Sequence, residues 1–113
     1  MKETRILQTI KEWRECKQAI PLNGLIIFKF SPTCPISRGV ERSFDAWYTG
    51  LAEETDLLCV KVNVRGSREL SQHIAQEFSI SHESPQAIWI NRDQNVLWHA
   101  SHRSIKAEAL DTQ

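Results

Sequence analysis

The sequence predicts an α/β fold in which helices cover both faces of a mixed β-sheet. Two apolar runs of strand length, residues 24–30 and 57–64, enclose an amphipathic helical pattern. A strand–helix–strand unit implies a parallel pair joined by a right-handed crossover. Two later apolar runs are joined by the short polar segment 91–95, which implies an antiparallel hairpin. Parallel and antiparallel pairs together indicate a mixed sheet.

Length and charge restrict the classes of protein that remain possible. A chain of 113 residues is expected to form a single domain, residues 1–113. Its 14 basic and 14 acidic residues cancel, so no basic surface for nucleic acid is expected. The longest apolar stretch stops at Lys29 and is too short to span a bilayer, and residues 1–5 lack a signal-peptide core. We expect a cytoplasmic monomer with no nucleic-acid or membrane partner.

The first third of the chain predicts a short strand, a helix and a central strand. The short strand covers Thr4–Leu7, and the amphipathic helix runs from Thr9 to about Ala19. Pro21 ends this helix. The almost continuous apolar run Gly24–Phe30 is typical of a strand that is covered on both faces.

The middle of the chain predicts a long helix and a second strand. The helix is expected to reach about Glu54, because apolar residues recur every three or four positions: Ile36, Val40, Phe44, Trp47 and Leu51. Gly39 weakens this helix by roughly 1 kcal/mol relative to alanine. The second strand covers Leu57–Val64 and is rich in β-branched residues.

The last third predicts a helix, the hairpin and a terminal helix. The helix has Ser67 as its N-cap and a core side formed by Leu70, Ile74 and Phe78. The hairpin strands cover 87–90 and 96–100, and the terminal helix covers Ser104 to Leu110. The tryptophans of the helix and hairpin, Trp47, Trp89 and Trp98, are expected to serve in packing.

The turn between the central strand and the long helix presents Cys34. At a helix start, unpaired backbone N–H groups and the helix dipole favour a negative charge, and therefore a nucleophilic thiolate. Pro35 suits the first helical position, where its missing N–H has no intrahelical partner. Cys16 and Cys59 lie in apolar patterns and are predicted to be packing residues, since an odd number of widely spaced cysteines argues against a disulfide framework.

Over nearly its full length the chain resembles the thioredoxin superfamily. The features that carry the resemblance are the Cys34-Pro35 helix start, the strand–helix–strand crossover, and Ser84-Pro85 immediately before a hairpin. The resemblance implies a thioredoxin-like sheet of four or five strands. It also implies a cis proline beside the cysteine, preceded by a residue whose backbone binds substrate. The alternative is a trans proline that opens an edge strand.

Two departures from dithiol thioredoxins occur together. Ser37 stands where those proteins have their second cysteine, and Phe28 stands at the position of their buried carboxylate. The chain therefore lacks both the resolving thiol and its proton acceptor. A dithiol cycle through this motif is excluded.

The string Thr33-Cys34-Pro35-Ile36-Ser37, together with 83–86, resembles the YtxJ-like monothiol bacilliredoxins. That family resemblance implies a monothiol-disulfide oxidoreductase that removes bacillithiol, a small thiol used by some Gram-positive bacteria, from protein cysteines. It implies Cys34 as the catalytic residue, bacillithiol as co-substrate with no bound cofactor, and bacillithiolated client proteins as partners. The residues expected to bind substrate are Thr33, Pro35, Ser37, Ser84 and Pro85.

The roles of two charged residues near Cys34, and functions other than catalysis, remain open. Lys29 either holds a substrate carboxylate or is a solvated strand-end residue, and Arg38 either adds positive potential or is solvated. A redox sensor based on Cys34, or a binding module that uses the groove between Cys34 and Pro85, would have the same fold. No cysteine or histidine spacing supports a metal site, and nothing places a histidine base beside Cys34, as a cysteine hydrolase requires.

Overall fold

A computed structural model describes residues 2–113. The predicted domain, 1–113, thus includes one residue, Met1, that lies outside the described residues. The elements in chain order are β1 (Arg5–Leu7), α1 (Ile10–Lys17), β2 (Leu25–Phe30), α2 (Pro35–Thr49), β3 (Leu58–Asn63), α3 (Arg68–Phe78), β4 (Gln86–Ile90), β5 (Val96–Ser101) and α4 (Ala107–Asp111). A short 3-10 turn, His102–Ser104, joins β5 to α4.

The five strands form one mixed sheet in the order β1-β3-β2-β4-β5. The strands β1, β3 and β2 are parallel, whereas β4 and β5 run antiparallel to their neighbours. This arrangement confirms the predicted parallel pair, the predicted hairpin and the mixed sheet. The central position belongs to β2, the strand that leads to Cys34.

The sheet separates two hydrophobic cores, because successive side chains of a strand point to opposite faces. The core on the α1 and α3 side includes Leu25, Ile27, Trp13 and Ile74. The core on the α2 and α4 side includes Ile26, Phe28, Phe44 and Leu110. The continuous apolar character of β2 is explained by burial on both faces.

Helix α1 begins with a capping box. The Thr9 hydroxyl accepts a hydrogen bond from the Glu12 N–H at 3.1 Å, and the Glu12 carboxylate accepts one from the Thr9 N–H at 3.1 Å. These bonds satisfy backbone donors that the helix itself leaves unpaired. The helix ends at Lys17, slightly before the predicted end at Ala19.

Helix α2 is shorter than predicted. It ends at Thr49 with Gly50 as the C-cap, so Leu51 lies beyond the helix and not in its apolar stripe. Ile36, the predicted first member of the stripe, is 49% exposed. Tyr48 is buried instead, and its hydroxyl donates to the Leu57 carbonyl at 2.8 Å. The buried face therefore rotates away from Ile36 toward Tyr48.

The starts of α3 and α4 also differ from the prediction. Ser67 occupies the N-cap position of α3, but its side chain makes no capping hydrogen bond. The Asn63 side chain instead accepts the N–H groups of Arg65 and Gly66, both at 3.0 Å. Helix α4 begins at Ala107 and not at Ser104, because the 3-10 turn occupies the residues before it. No helix within residues 2–113 is long and apolar enough to cross a membrane.

Candidate active site

Three chain segments converge at one edge of the sheet. Phe30 at the end of β2 pairs with Asn63 at the end of β3, and Lys29 pairs with Gln86 at the start of β4. The turn after β2, the loop after β3 and the segment before β4 therefore emerge together. This edge carries Cys34, Arg65 and Ser84-Pro85.

Cys34 is the N-cap residue of α2. Its backbone is extended, with φ −99° and ψ 118°, and its carbonyl accepts the Arg38 N–H at 3.1 Å. The residue is half-buried, and Pro35 follows as the first residue of the helix. No side chain caps the helix and its first turn holds no acidic residue, so the N-terminal backbone donors remain available to an anion.

Ser37 helps to shape the turn that carries Cys34. Its side chain is fully buried, and its hydroxyl oxygen accepts the Ser31 N–H at 3.0 Å. This bond joins the first turn of α2 to the residue that follows β2. Contact between Ser37 and a bound substrate stays a prediction.

Thr33 is exposed and takes part in a hydrogen bond that the sequence reasoning missed. The Arg65 guanidinium donates to the Thr33 hydroxyl oxygen at 2.8 Å. The predicted crossover already implied that the loops after β2 and β3 share one edge, so a search of that edge for charged residues would have found Arg65.

Ser84 and Pro85 lie directly before β4, and the peptide bond between them is cis. Pro85 is buried, and its carbonyl accepts the His102 N–H at 2.9 Å. Strand β4 lies between β2 and β5, so it is not an edge strand. The alternative of a trans proline opening an edge strand is therefore wrong. The Ser84 hydroxyl is buried without a hydrogen-bond partner among the described residues.

The other two cysteines are buried in different hydrophobic cores. Cys16 packs on the α1 and α3 side, and Cys59 packs on the α2 and α4 side. Burial raises the pKa of both thiols. Each sulfur is therefore held as the less nucleophilic thiol, in agreement with the packing role predicted for both.

Phe28 belongs to the hydrophobic core on the α2 side of the sheet. Its ring stacks on that of Phe44, with centroids 4.7 Å apart. Lys61, its register partner on β3, has its Nζ 2.7 Å from a Glu41 oxygen and 2.8 Å from an Asp45 oxygen. Burial alone would lower the Lys61 pKa, but the hydrogen bonds to Asp45 and Glu41 outweigh it and raise the pKa.

Lys29 fits neither of its predicted roles. Its side chain is fully buried, and Nζ donates to the Ser71 carbonyl oxygen of α3 at 2.9 Å. Strand alternation places Lys29 on the same face as Leu25 and Ile27, beneath α3 and away from solvent. Burial lowers its pKa to about 8. Arg38, by contrast, is exposed on α2.

A groove lies beside the first two turns of α2. Its cavity of about 590 Å³ is lined on one side by Pro35, Ile36, Gly39 and Val40, and on the other by residues around Arg103 and Lys106. A Cβ atom added at Gly39 would meet no atom within 4 Å. The groove is therefore open, partly apolar and adjacent to the helix start that carries Cys34.

Comparison with known proteins agrees with this geometry. The family model of the monothiol bacilliredoxin BrxC matches residues 5–110. A solved structure described as a proposed oxidoreductase with a thioredoxin fold is 25% identical, has a TM-score of 0.81, and is matched over 96% of this chain and 91% of its own. Thioredoxin from Fasciola hepatica is 18% identical, with a TM-score of 0.72 and coverage of 96% and 93%. Thioredoxin from Malassezia sympodialis is 11% identical, also with a TM-score of 0.72, and coverage of 99% and 88%. The fold is thus thioredoxin-like, and the chain belongs to the monothiol bacilliredoxin BrxC family.

Proposed function

We propose that this protein removes bacillithiol from mixed disulfides on protein cysteines, with Cys34 as the nucleophile. The observation that carries the proposal is the distribution of the three thiols. Cys34 is the half-buried thiol at a helix start, whereas Cys16 and Cys59 are buried in the cores. Membership of a monothiol bacilliredoxin family supports a thiol-disulfide oxidoreductase and leaves the small thiol to be tested.

The proposed reaction is a thiol–disulfide exchange. The Cys34 thiolate attacks the bacillithiol sulfur of the mixed disulfide, and the protein cysteine leaves as a thiolate that takes a proton from water. Cys34 now carries bacillithiol in a new disulfide. The thiolate of a second small thiol then attacks the bacillithiol sulfur. Cys34 leaves as a thiolate, and the two small thiols become joined in a disulfide.

The neighbouring residues suit the approach of a disulfide. The backbone of Ser84 before Pro85 would pair with the substrate chain, and Thr33 and Pro35 would border the reacting sulfur. The groove at Ile36 and Gly39 offers a surface for the client protein. Ser37 would act by holding the turn through its bond to Ser31, since its oxygen already accepts that N–H.

Serine at position 37 accounts for a one-cysteine cycle. A thiol there would attack the Cys34 mixed disulfide from within the same motif. The serine hydroxyl cannot form a disulfide, and the other two thiols are buried. The Cys34 adduct therefore persists until an external thiol arrives. The proposed location is the cytoplasm, where abundant small thiols maintain reducing conditions.

Intact mass spectrometry tests the proposal. The protein is incubated with a bacillithiolated carrier protein, and the bacillithiol mass is expected to move from the carrier to Cys34. Cys34→Ser should abolish the transfer, whereas Cys16→Ser should retain it. A carrier loaded with glutathione, run in parallel, tests the choice of small thiol.

The same assay separates the alternatives. If the protein binds the carrier but never acquires the adduct, it is a binding module and the proposed activity is refuted. If Cys34 is modified by free bacillithiol disulfide but never by the carrier, a redox sensor is supported instead.

A further inference from the structure

A second cavity lies on the other side of the Cys34 turn. It has a volume of about 300 Å³ and lies between the loop after β3, the first turns of α3 and the loop before Pro85. Its lining holds two arginines, one histidine and no acidic side chain: Val64, Arg65, Arg68, Ser71, Gln72 and His82. The cavity is therefore suited to an anionic group.

The two arginines lack an acidic partner in the part of the chain that the structure describes. Neither Arg65 nor Arg68 has a carboxylate within ion-pair distance in the described chain, residues 2–113, whereas Lys61 contacts two carboxylates. Glu69 and Glu83, the acidic residues next in sequence to the cavity, are exposed and do not line it. The guanidinium groups keep donors free for a ligand.

The cavity is linked to the reacting cysteine through Arg65. Its guanidinium donates to the hydroxyl of Thr33, the residue before Cys34, at 2.8 Å. A guanidinium has several donors in one plane, so this bond leaves others to face the cavity. A ligand held by Arg65 would therefore lie beside the turn that carries Cys34.

The floor of the cavity adds positive charge. Ser71 lines it, and the buried Lys29 donates to the Ser71 carbonyl oxygen at 2.9 Å. The Ser71 hydroxyl lies 3.3 Å from Nδ1 of His82. The buried ammonium of Lys29, bonded to a residue of the cavity lining, strengthens the attraction for an anion, because burial reduces screening by water.

We propose that Arg65 and Arg68 form a subsite that binds the carboxylates of the small thiol while Cys34 attacks its sulfur. The inference rests on the proposed function and specifies the substrate class, a carboxylate-bearing thiol. Bacillithiol fits this class through the carboxylates of its malate unit, and guanidinium groups bind carboxylates in a bidentate manner. The small thiol would occupy the Arg65 side of the turn, and the client protein the Gly39 groove on the α2 side.

Transfer rates with charged and uncharged thiols test the subsite. One carrier protein is loaded with bacillithiol or with 2-mercaptoethanol, which has no carboxylate, and the rate of transfer to Cys34 is measured. Arg68→Ala should slow transfer of bacillithiol about fivefold, the upper range for an exposed ion pair, and leave transfer of mercaptoethanol unchanged. Arg65→Ala should do the same. Arg14→Ala, an exposed arginine on α1, is the matched control and should change neither rate.

Thr33→Val separates charge from positioning, because it removes the bond to Arg65 and keeps the guanidinium. It should affect both thiols to the same degree. If the arginine variants also slow both thiols equally, the arginines only support the turn and the subsite is refuted. Added salt should lower the wild-type preference for bacillithiol, since screening weakens exposed ion pairs.

Malate alone provides a readout that does not depend on transfer. In NMR spectra it should shift the backbone amide signals of positions 65 and 68 in the wild-type protein and not in the variant with both Arg65→Ala and Arg68→Ala. Absence of these shifts overturns the subsite. Shifts without any transfer from carrier to Cys34 would support the subsite and refute the proposed function.

Discussion

The rings of Phe28 and Phe44 stack with centroids 4.7 Å apart and an interplanar angle of 27°. Phe28 lies six residues before Cys34, at the position where dithiol thioredoxins hold a buried carboxylate. In this chain the position belongs to the hydrophobic core between the sheet and α2. At position 28 the chain thus lacks the buried proton acceptor of dithiol thioredoxins. It also lacks their second thiol, since position 37 is serine.

A carboxylate introduced at position 28 should lower the free energy of unfolding. Phe28→Asp removes the stacked ring and buries an acid in an apolar core, so we expect a loss of about 3–5 kcal/mol in the free energy of unfolding. Urea unfolding measures this loss. Phe28→Leu is the control and should cost less, because it stays apolar. A Phe28→Asp protein as stable as Phe28→Leu would contradict the apolar environment.

The three cysteines should differ in accessibility. Iodoacetamide should label Cys34 in the folded protein, and label Cys16 and Cys59 only after unfolding, since burial keeps both thiols protonated and out of reach. Peptide mapping by mass spectrometry measures the labelling. Cys59→Ser should leave transfer to Cys34 largely intact. Loss of the recycling step in that variant would instead identify Cys59 as a resolving thiol.

Lys29 should make stability depend on pH in the alkaline range. Its pKa is about 8 in the folded protein and 10.5 without burial, so the unfolded chain binds more protons between these values. Stability contributed by this residue therefore rises with pH in that window, by on the order of 1 kcal/mol per pH unit.

Comparison with Lys29→Met isolates this contribution. The difference in unfolding free energy, wild type minus variant, should increase in favour of the wild type between pH of about 8 and 10.5. Other groups that titrate in this range contribute equally to both proteins and cancel. Parallel pH curves for the two proteins would contradict the lowered pKa of Lys29.

Gly39 offers a stabilising substitution. It lies inside α2, where a new Cβ meets no atom within 4 Å, so Gly39→Ala should stabilise the protein by about 0.5–1 kcal/mol. Thermal unfolding measures the gain. Gly24→Ala is the contrasting control, because Gly24 has φ +102° and a Cβ would lie 2.4 Å from the Ile90 carbonyl oxygen. If Gly39→Ala is less stable than the wild type, the packing or backbone of α2 at this position requires glycine.

A bulky residue at position 39 tests the groove for the client. Gly39→Leu adds a branched side chain to the lining of the groove at a position where the new Cβ meets no atom within 4 Å, so transfer from a carrier protein should slow. Transfer from free bacillithiol disulfide should slow less. Equal effects on both substrates would argue against a client surface at this groove.

The amino-acid sequence by itself determined the order of elements and the place of Cys34 in it. Hydrophobic periodicity is local and places Cys34 at a helix start, and the apolar run of β2 is explained by burial on both faces. Helix ends were less accurate, because α2 stops at Thr49 where Gly50 caps it, although apolar residues continue beyond. An apolar pattern marks burial and does not show where helical backbone bonds cease.

Only the tertiary structure decided which polar groups meet. Lys29 was expected either to hold a carboxylate or to face water, and it bonds instead to the Ser71 carbonyl oxygen, 42 positions later in the chain. Arg65 reaches Thr33 across 32 positions. Such contacts depend on how strands β2 and β3 align and on how α3 packs over them, and no local pattern encodes these relationships. The cysteine is thus specified within a short segment, whereas the charged cavity beside it exists only once the sheet has brought distant residues to one edge.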